Sequence, residues 1–243
     1  MNMLNEMNNY HNFAYYYNQL IPVTFYQNLV KKINKYGNFE SILDLACGSG
    51  SLCFLLKNDT NNVTGLDLSQ EMLMIAQDRN FVEKKGIQFI NQDLNYLKLN
   101  NDSYDLITCT LDSLNYLDSA QTIREIIEKV SQALQKGGYF CFDLLTQFYL
   151  DKIVADYYQS EELADFEYVW QVMKVDKDVM EHQLEIMSDT DSFKEVHLQF
   201  IYELAEIESY LISNGLRIVD KEFEYNELDK SEPARVYYFC CKE

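Results

Sequence analysis

The chain has 243 residues, and its 20 Lys and Arg against 39 Asp and Glu give a formal net charge of −19 at pH 7. This length suffices for one or two domains with a full hydrophobic core, and a 47% hydrophobic content is typical of a globular protein. The charge disfavours binding to a phosphate backbone, which requires clustered cations that displace counterions. Nucleic acid is therefore not expected as a partner.

Targeting and redox signals are weak in this sequence. No apolar run is long enough to cross a bilayer, and the start, Met1 to Phe13, lacks the cationic and apolar parts of a signal peptide. The six cysteines show no C-x-x-C spacing, which argues against a disulfide framework or a zinc site. These features predict a cytoplasmic protein with reduced thiols, no membrane partner and no metal.

Short β-rich runs alternate with helical runs from Ser41 to Leu145, a pattern typical of parallel strands joined by crossover helices. The predicted elements are a strand at Ser41–Leu45, a helix at Ser51–Lys57, a strand at Val63–Asp67, a helix from Gln70 to about Asn80, strands at Gln88–Asn91 and Tyr104–Cys109, a helix at Ser119–Leu134 and a strand at Tyr139–Asp143.

A different pattern follows the fifth strand. Glu167–Val175, Val179–Met187 and Phe193–Phe200 resemble successive strands with polar connections, which predicts an antiparallel insertion. A helix from about Glu203 to Asn214 and strands at Leu216–Tyr225 and Arg235–Cys241 then complete the α/β pattern. The predicted organisation is an N-terminal helical segment with the first half of a Rossmann-like sheet (1–145), an insertion that is a candidate substrate lid (146–202), and the end of the sheet (203–243).

The turn after the first strand is the most informative segment. Gly48 and Gly50 allow a ligand to approach the main chain closely. Asp67 ends the second strand at the position where a carboxylate accepts hydrogen bonds from ribose hydroxyls, and Asp93 follows the third strand at the same sheet edge. A dinucleotide fingerprint would require a third glycine where the chain has Cys53, which weakens a nicotinamide site. Several acids at one crevice suit a cationic adenosyl ligand better than a pyrophosphate.

In motif order, ILDLACGSG, VTGLDLSQEML, INQDL and LQKGGYFCFDL resemble the class I S-adenosylmethionine-dependent methyltransferases, from about Ser41 to Asp143. The resemblance implies a seven-stranded sheet with an antiparallel last strand and S-adenosyl-L-methionine as cofactor. The cofactor contacts that it implies are Asp44, Ala46, Gly48 and Gly50 at the methionine end, Asp67 and Leu68 at the ribose, and Met72, Asp93 and Leu94 around the adenine. Ala46 stands where the family usually has glycine.

Two further segments resemble a group of small bacterial methyltransferases. His11 to Leu20 resembles its FAxxYDxL opening, in which Tyr17 corresponds to the tyrosine that covers the cofactor, while Asn18 replaces the usual aspartate. Cys109 to Tyr116 resembles its CxxDSLNYL segment. The resemblance implies that Leu111 contacts the cofactor and makes Asp112, Asn115 and Tyr116 substrate candidates. Should the acceptor need a base, Asp112 and His182 are the candidates.

Structural explanations compete with these functional ones. Asp67 alone could cap a helix, Asp93 could lie in a solvated turn, and Asp112 and Asn115 could cap the next segment. The tyrosines at 15–17 could be packing residues, and His182 and His197 could be ordinary surface residues of the insertion.

The function that we predict is methyl transfer from S-adenosylmethionine to a small molecule or a protein side chain. Two alternatives stay open at the level of sequence, a nicotinamide-dependent oxidoreductase and a protein that binds S-adenosylmethionine without catalysis. No [ND]PP[YFW] tetrapeptide or Pro-Cys pair follows the fourth strand, in agreement with the charge that disfavours nucleic acid. The sequence does not define the acceptor or the oligomeric state.

Overall fold

The computed structural model describes residues 13–154, 157–190, 192–227 and 229–243. The helices are α1 (Ala14–Leu20), α2 (Val23–Ile33), α3 (Ser51–Leu56), α4 (Gln70–Glu83), α5 (Ala120–Ala133) and α6 (Leu204–Ser213). The strands are β1 (Ser41–Leu45), β2 (Asn62–Asp67), β3 (Gln88–Asn91), β4 (Tyr104–Cys109), β5 (Leu134–Leu145), β6 (Tyr158–Glu162), β7 (Glu167–Asp176), β8 (Val179–Met187), β9 (Ser192–Phe200), β10 (Leu216–Glu224) and β11 (Arg235–Lys242). His11 and Asn12 of the predicted opening motif lie outside the described residues.

Seven strands form one sheet in the order β10-β11-β5-β4-β1-β2-β3. Strand β1 pairs in parallel with both β2 and β4, whereas β11 is antiparallel to β5 and β10. This topology confirms the predicted α/β sheet with an antiparallel last strand. The strand order reverses at β1, and ligands of open α/β sheets bind at the carboxyl ends of the strands on either side of such a reversal.

Helices cover both faces of this sheet. On one face, α5 and α6 bury side chains such as Ile126 and Leu211 against the strands. On the other, α2 and α3 bury Leu29 and Phe54. Because side chains alternate along a strand, β11 contributes to both cores, and five of its eight residues are buried. The central sheet is therefore packed on both faces, and its carboxyl edge carries the loops described below.

The predicted insertion forms a second, antiparallel sheet in the order β6-β7-β8-β9. Helix α1 packs against this second sheet, with Phe13 buried in a cluster that includes Leu184 and Ile186. The main-chain N–H of Phe13 also donates a 2.9 Å hydrogen bond to Glu195 Oε1 on β9. The N-terminal helix and the insertion are thus joined to each other.

Three local features differ from the sequence prediction. Strand β6 has five exposed residues, so its sequence carries no alternation that would reveal it. Strand β5 begins earlier than predicted, because Tyr104 pairs with Leu134 and Leu106 with Tyr139 around an irregularity. On β9, Val196 is 37% exposed whereas Gln199 is completely buried. The buried face of β9 is therefore its polar one.

The six cysteines are free thiols, and four of them are buried. Among the residues described, no helix has the length and apolar character of a membrane span.

Candidate cofactor site

A cavity of about 250 Å³ lies at the carboxyl edge of the central sheet, around the ends of β1, β2 and β4. The residues that line it come from α1, α2, the turn after β1, the end of β2, the start of α4, the turn after β3 and the loop after β4. They are Tyr17, Tyr26, Ala46, Cys47, Gly48, Leu66, Asp67, Leu68, Ser69, Met72, Gln92, Asp93, Leu94, Asn95, Leu111, Ser113, Tyr116 and Leu117. Most of the predicted cofactor contacts are in this set.

The turn after β1 has an unusual backbone. Ala46, Gly48 and Gly50 have φ angles of 52°, 54° and 78°. Glycine adopts this left-handed conformation readily, but a residue with a Cβ pays about 1–2 kcal/mol. A Cβ on Gly50 would also come within 2.9 Å of the Phe89 ring. Gly50 therefore allows the turn to pack closely against Phe89. The left-handed conformation of Ala46 explains why a glycine would suit position 46.

Asp67 joins β2 to the turn after β1. Its Oδ2 accepts a 2.7 Å hydrogen bond from Gly48 N, and its Oδ1 accepts one of 2.8 Å from Ser69 N. Burial raises the pKa of Asp67, and the hydrogen bonds from main-chain N–H groups oppose this rise. The carboxylate both lines the cavity and fixes its walls. Ser69, rather than Asp67, is the N-cap of α4, because its hydroxyl accepts from Met72 N.

Asp44 lies beneath the cavity and is 3% exposed. Its Oδ1 accepts a 2.6 Å hydrogen bond from the Thr108 hydroxyl, and its Oδ2 lies 3.4 Å from Cys53 Sγ. Burial raises the pKa of Asp44 to about 7, and the hydrogen bonds from Thr108 and Cys53 only partly offset this effect. Asp44 and Gly50 are the two predicted cofactor contacts that do not line the cavity.

Asp93 is at the opposite end of the cavity from the β4 loop. Its Oδ1 accepts hydrogen bonds from Asn95 N at 2.8 Å and from Asn95 Nδ2 at 2.9 Å, so it caps the short 3-10 helix Leu94–Tyr96. Leu94 is buried beside it. Asp93 therefore caps this short helix and also lines the cavity, because one carboxylate can do both.

Helix α1 covers the cavity from the side of the second sheet. Tyr17 lines the cavity and also packs in the cluster that α1 shares with β7, β8 and β9. Asn18 Oδ1 accepts a 2.6 Å hydrogen bond from the Ser49 hydroxyl in the turn after β1. An aspartate could accept the same bond, so Asn18 keeps this contact without the charge.

The loop after β4 contains two consecutive residues in the left-handed conformation. Leu111 and Asp112 have φ angles of 60° and 51°. Leu111 lines the cavity, whereas the Asp112 carboxylate is bound on the other side of this turn. There Asp112 Oδ1 pairs with Arg235 Nη1 at 2.7 Å, and Asp112 N donates to Asp143 Oδ2 at 2.9 Å. Such strain is retained only where surrounding contacts enforce it.

The other two substrate candidates are placed differently. Tyr116 lines the cavity. Asn115 is fully buried, where its Nδ2 donates to Phe200 O at 2.7 Å and its Oδ1 accepts from Leu145 N at 3.1 Å. Both polar groups of Asn115 thus connect the β4 loop to β5 and β9.

Sequence reasoning missed the residues that surround Asp112. Arg235 starts β11 and pairs with both Asp112 and Asp143, the buried acid near the end of β5. Gln199 on β9 donates to Asp112 Oδ2 at 2.5 Å. These residues are far apart in the chain, so no local motif contains them. The signal that the sequence offered for these contacts was the excess of acidic over basic residues at one edge of the sheet.

The residues present fit S-adenosylmethionine. None of the described residues that line the cavity is Lys or Arg, so nothing there would pair with the pyrophosphate of a dinucleotide. Asp67 and Asp93 are in the lining and Asp44 lies beneath it, which suits a ligand with a positively charged sulfonium and ammonium. The left-handed turn at Gly48 leaves main-chain groups without side chains over them.

Comparisons with known proteins agree with this fit. Residues 42–138 match the family described as "Methyltransferase domain". The chain is 29% identical to a protein of Geobacillus sp. (strain WCH70) over 96% of this chain and 99% of that protein. It is 27% identical to YqeM of Bacillus subtilis (strain 168) over 95% of each chain. Both relatives carry the name "Putative methyltransferase". A crystal structure of an S-adenosylmethionine-dependent methyltransferase from Clostridium acetobutylicum ATCC 824 superposes with a TM-score of 0.81 at 28% identity, covering 95% of this chain and 97% of that one.

Proposed function

We propose that this protein, an S-adenosylmethionine-dependent methyltransferase whose cofactor is S-adenosyl-L-methionine, transfers the methyl group to a small molecule or a protein side chain bound beneath the second sheet. The enzyme class and the cofactor follow from the matches and from the fit of the cavity. The acceptor class, the residue roles and the use of segment 146–202 as a lid are our proposals.

The observation that carries the acceptor proposal is the covering of the cavity. Tyr17 of α1 lies in both the cavity wall and the apolar cluster of the second sheet, so the same side chain separates the cavity from the lid. This arrangement favours an acceptor group that can enter beneath the second sheet, either a small molecule or a single protein side chain. The net charge of −19 further disfavours RNA or DNA.

The cofactor, when bound, supplies an electrophilic methyl group on a sulfonium. We assign Gly48, Asp67, Leu68, Met72, Asp93 and Leu94 to its binding, and buried Asp44 contributes negative charge when it is ionised, above about pH 7. Tyr17 and Leu111 exclude water from the reacting end, where alignment matters more than acid–base help. Tyr116 is the proposed acceptor contact in the wall. Asp112 does not line the cavity and its two carboxylate oxygens are bound by Arg235 and Gln199, so we do not assign it the role of a base.

Incubation with methyl-labelled S-adenosylmethionine and a fractionated cell extract tests the proposed acceptor class. We expect label in the small-molecule or the protein fraction with the wild type and none with Asp67→Ala. Label mainly in RNA would contradict the proposal. Asp78→Ala, on the exposed side of α4, is the matched control and should label like the wild type.

A further inference from the structure

A chain of buried polar contacts connects the second sheet to the β4 loop. Trp170 Nε1 donates to His182 Nδ1 at 3.1 Å, and His182 Nε2 lies 2.9 Å from Gln199 Oε1. The Gln199 amide then donates to Asp112 Oδ2 at 2.5 Å. Gln199 is completely buried and His182 is 8% exposed. We call these four residues the polar chain.

The direction of each hydrogen bond in the polar chain follows from which of its atoms can donate. An indole N–H can only donate, so His182 Nδ1 is an acceptor and the ring proton is on Nε2. That proton is donated to Gln199 Oε1, which leaves the amide N–H of Gln199 directed at Asp112. Burial lowers the pKa of His182 to about 4, so the ring is neutral at pH 7. Each member therefore has a single orientation.

The far end of the polar chain reaches the cavity wall. Asp112 is the neighbour of Leu111, and the two form the strained left-handed turn. The Asp112 carboxylate is held between Arg235 from the central sheet and Gln199 from the second sheet. A change at Gln199 therefore acts on the turn that places Leu111 against the cavity.

We infer that Gln199 is a positioning residue for the cofactor site: from the second sheet it holds Asp112, keeps the Leu111–Asp112 turn against the cavity, and couples the lid to cofactor affinity. This inference rests on the proposed function, because the cavity must take the adenosyl cofactor. It assigns to a residue of the insertion a role in binding at a cavity that it does not touch.

Two substitutions separate this role from simple packing. Gln199→Met keeps the approximate size but removes both hydrogen bonds. Gln199→Glu keeps an acceptor for His182 in either protonation state, but it restores the bond to Asp112 only when the new carboxyl is protonated, since only then can it donate. Two facing carboxyl groups share a proton with a raised apparent pKa. The function of Gln199→Glu should therefore depend on pH in a way that packing alone would not produce.

Other charged and titratable groups face position 199 and contribute to the pH dependence of every variant. They are His182 on β8, His197 on β9, Asp143 on β5, Arg235 on β11, Glu224 on β10 and Tyr149 after β5. These residues are the same in every variant, but an ionised carboxyl at position 199 would raise the pKa of His182, which donates to it. Each variant is therefore compared with the wild type at the same pH.

The test is isothermal titration with S-adenosylhomocysteine at about pH 5.5 and about pH 8. We expect Gln199→Met to bind roughly tenfold more weakly than the wild type at both pH values. Gln199→Glu should be similarly weakened at the higher pH and should recover towards wild-type affinity at the lower pH. Gln171→Glu, which adds the same charge on β7 of the same sheet, should match the wild type at both pH values.

The outcomes distinguish the inference from the proposed function. If the wild type binds S-adenosylhomocysteine but both Gln199 variants bind with wild-type affinity at both pH values, the inference is wrong and the proposed function stands. Weakening of Gln199→Glu by the same factor at both pH values would also overturn it. A wild type that does not bind would instead contradict the proposed function. If Gln199→Met fails to fold, the pH comparison with Gln199→Glu still decides.

Discussion

The carboxylate of Asp67 accepts a 2.7 Å hydrogen bond from the main-chain N–H of Gly48. This contact joins the ends of two adjacent parallel strands, so the residue expected to bind a ribose also fixes the turn expected to contact the methionine end. Loss of Asp67 would therefore disturb two parts of the cavity at once. The residues of the site therefore support one another and do not act as independent cofactor contacts.

We predict that cofactor affinity rises with pH through about 7. The pKa of buried Asp44 is raised to about 7, and a cationic ligand favours the ionised carboxylate. Binding should therefore strengthen as Asp44 loses its proton and release a proton near neutrality. The effect should be larger for S-adenosylmethionine than for S-adenosylhomocysteine, which lacks the sulfonium charge. Titrations at about pH 6, 7 and 8 measure it, and Asp44→Asn should remove the pH dependence. A flat wild-type profile would contradict the assignment.

Ala46→Gly should leave cofactor binding intact and change stability little or favourably. The φ angle of Ala46 is 52°, a conformation that costs a residue with a Cβ about 1–2 kcal/mol. Glycine removes this cost but loses more conformational entropy on folding, by roughly 0.5–1 kcal/mol. Urea unfolding measures the balance. A loss of stability above about 1 kcal/mol would show that the methyl group of Ala46 makes contacts that outweigh the backbone strain.

Gly50→Ala should destabilise the protein more than Gly86→Ala. Both glycines have positive φ angles, of 78° and 68°, so the two substitutions carry a similar backbone cost. At Gly50 the new Cβ would lie 2.9 Å from the Phe89 ring, whereas at Gly86 nothing lies within 4 Å. We expect an additional loss of about 1–3 kcal/mol at Gly50 from this overpacking. Equal losses in thermal unfolding would mean that Phe89 moves away without cost.

Arg235→Leu should destabilise the protein strongly at neutral pH and less so in mild acid. The substitution leaves buried Asp143 and half-buried Asp112 without their cation, and breaking a buried pair typically costs about 3–5 kcal/mol. Burial already raises the pKa of Asp143, and the loss of the guanidinium would raise it further. Protonation then relieves the unpaired charge as pH falls. Urea unfolding at about pH 7.5 and about pH 5.5 measures this.

Arg217→Leu is the matched control for Arg235→Leu, because Arg217 forms an exposed pair with Glu243 and should contribute under about 1 kcal/mol. The same loss for Arg235→Leu at both pH values would indicate that the acids near Arg235 do not titrate in this range.

The positions of the central strands and the residues of the β1 and β2 turns could be predicted from the sequence because both depend on local patterns. Gly48 lies in a short motif between a strand and a helix, and Asp67 ends the next strand. Parallel strands bring such ends together whatever the loops do. The predicted bounds of most strands agree with the structure to within about two residues, because strand bounds also depend on local sequence patterns.

The contacts of Asp112 could not be predicted in this way. Arg235 and Gln199 approach Asp112 only after the second sheet and β11 have packed onto the carboxyl edge of the central sheet. Alternation on β9 suggested two faces but not that the polar face would be buried. His182, expected as an ordinary surface residue, is buried in the polar chain. Such nonlocal polar contacts leave no periodic signal in the sequence.

The most direct test of the account is isothermal titration of S-adenosylmethionine into the wild type, Asp67→Ala and the control Asp78→Ala. We expect micromolar binding by the wild type and by Asp78→Ala, and loss of detectable binding by Asp67→Ala with the protein still folded. Absence of micromolar binding by the wild type, or undiminished binding by folded Asp67→Ala, would contradict the assignment of this cavity to the cofactor.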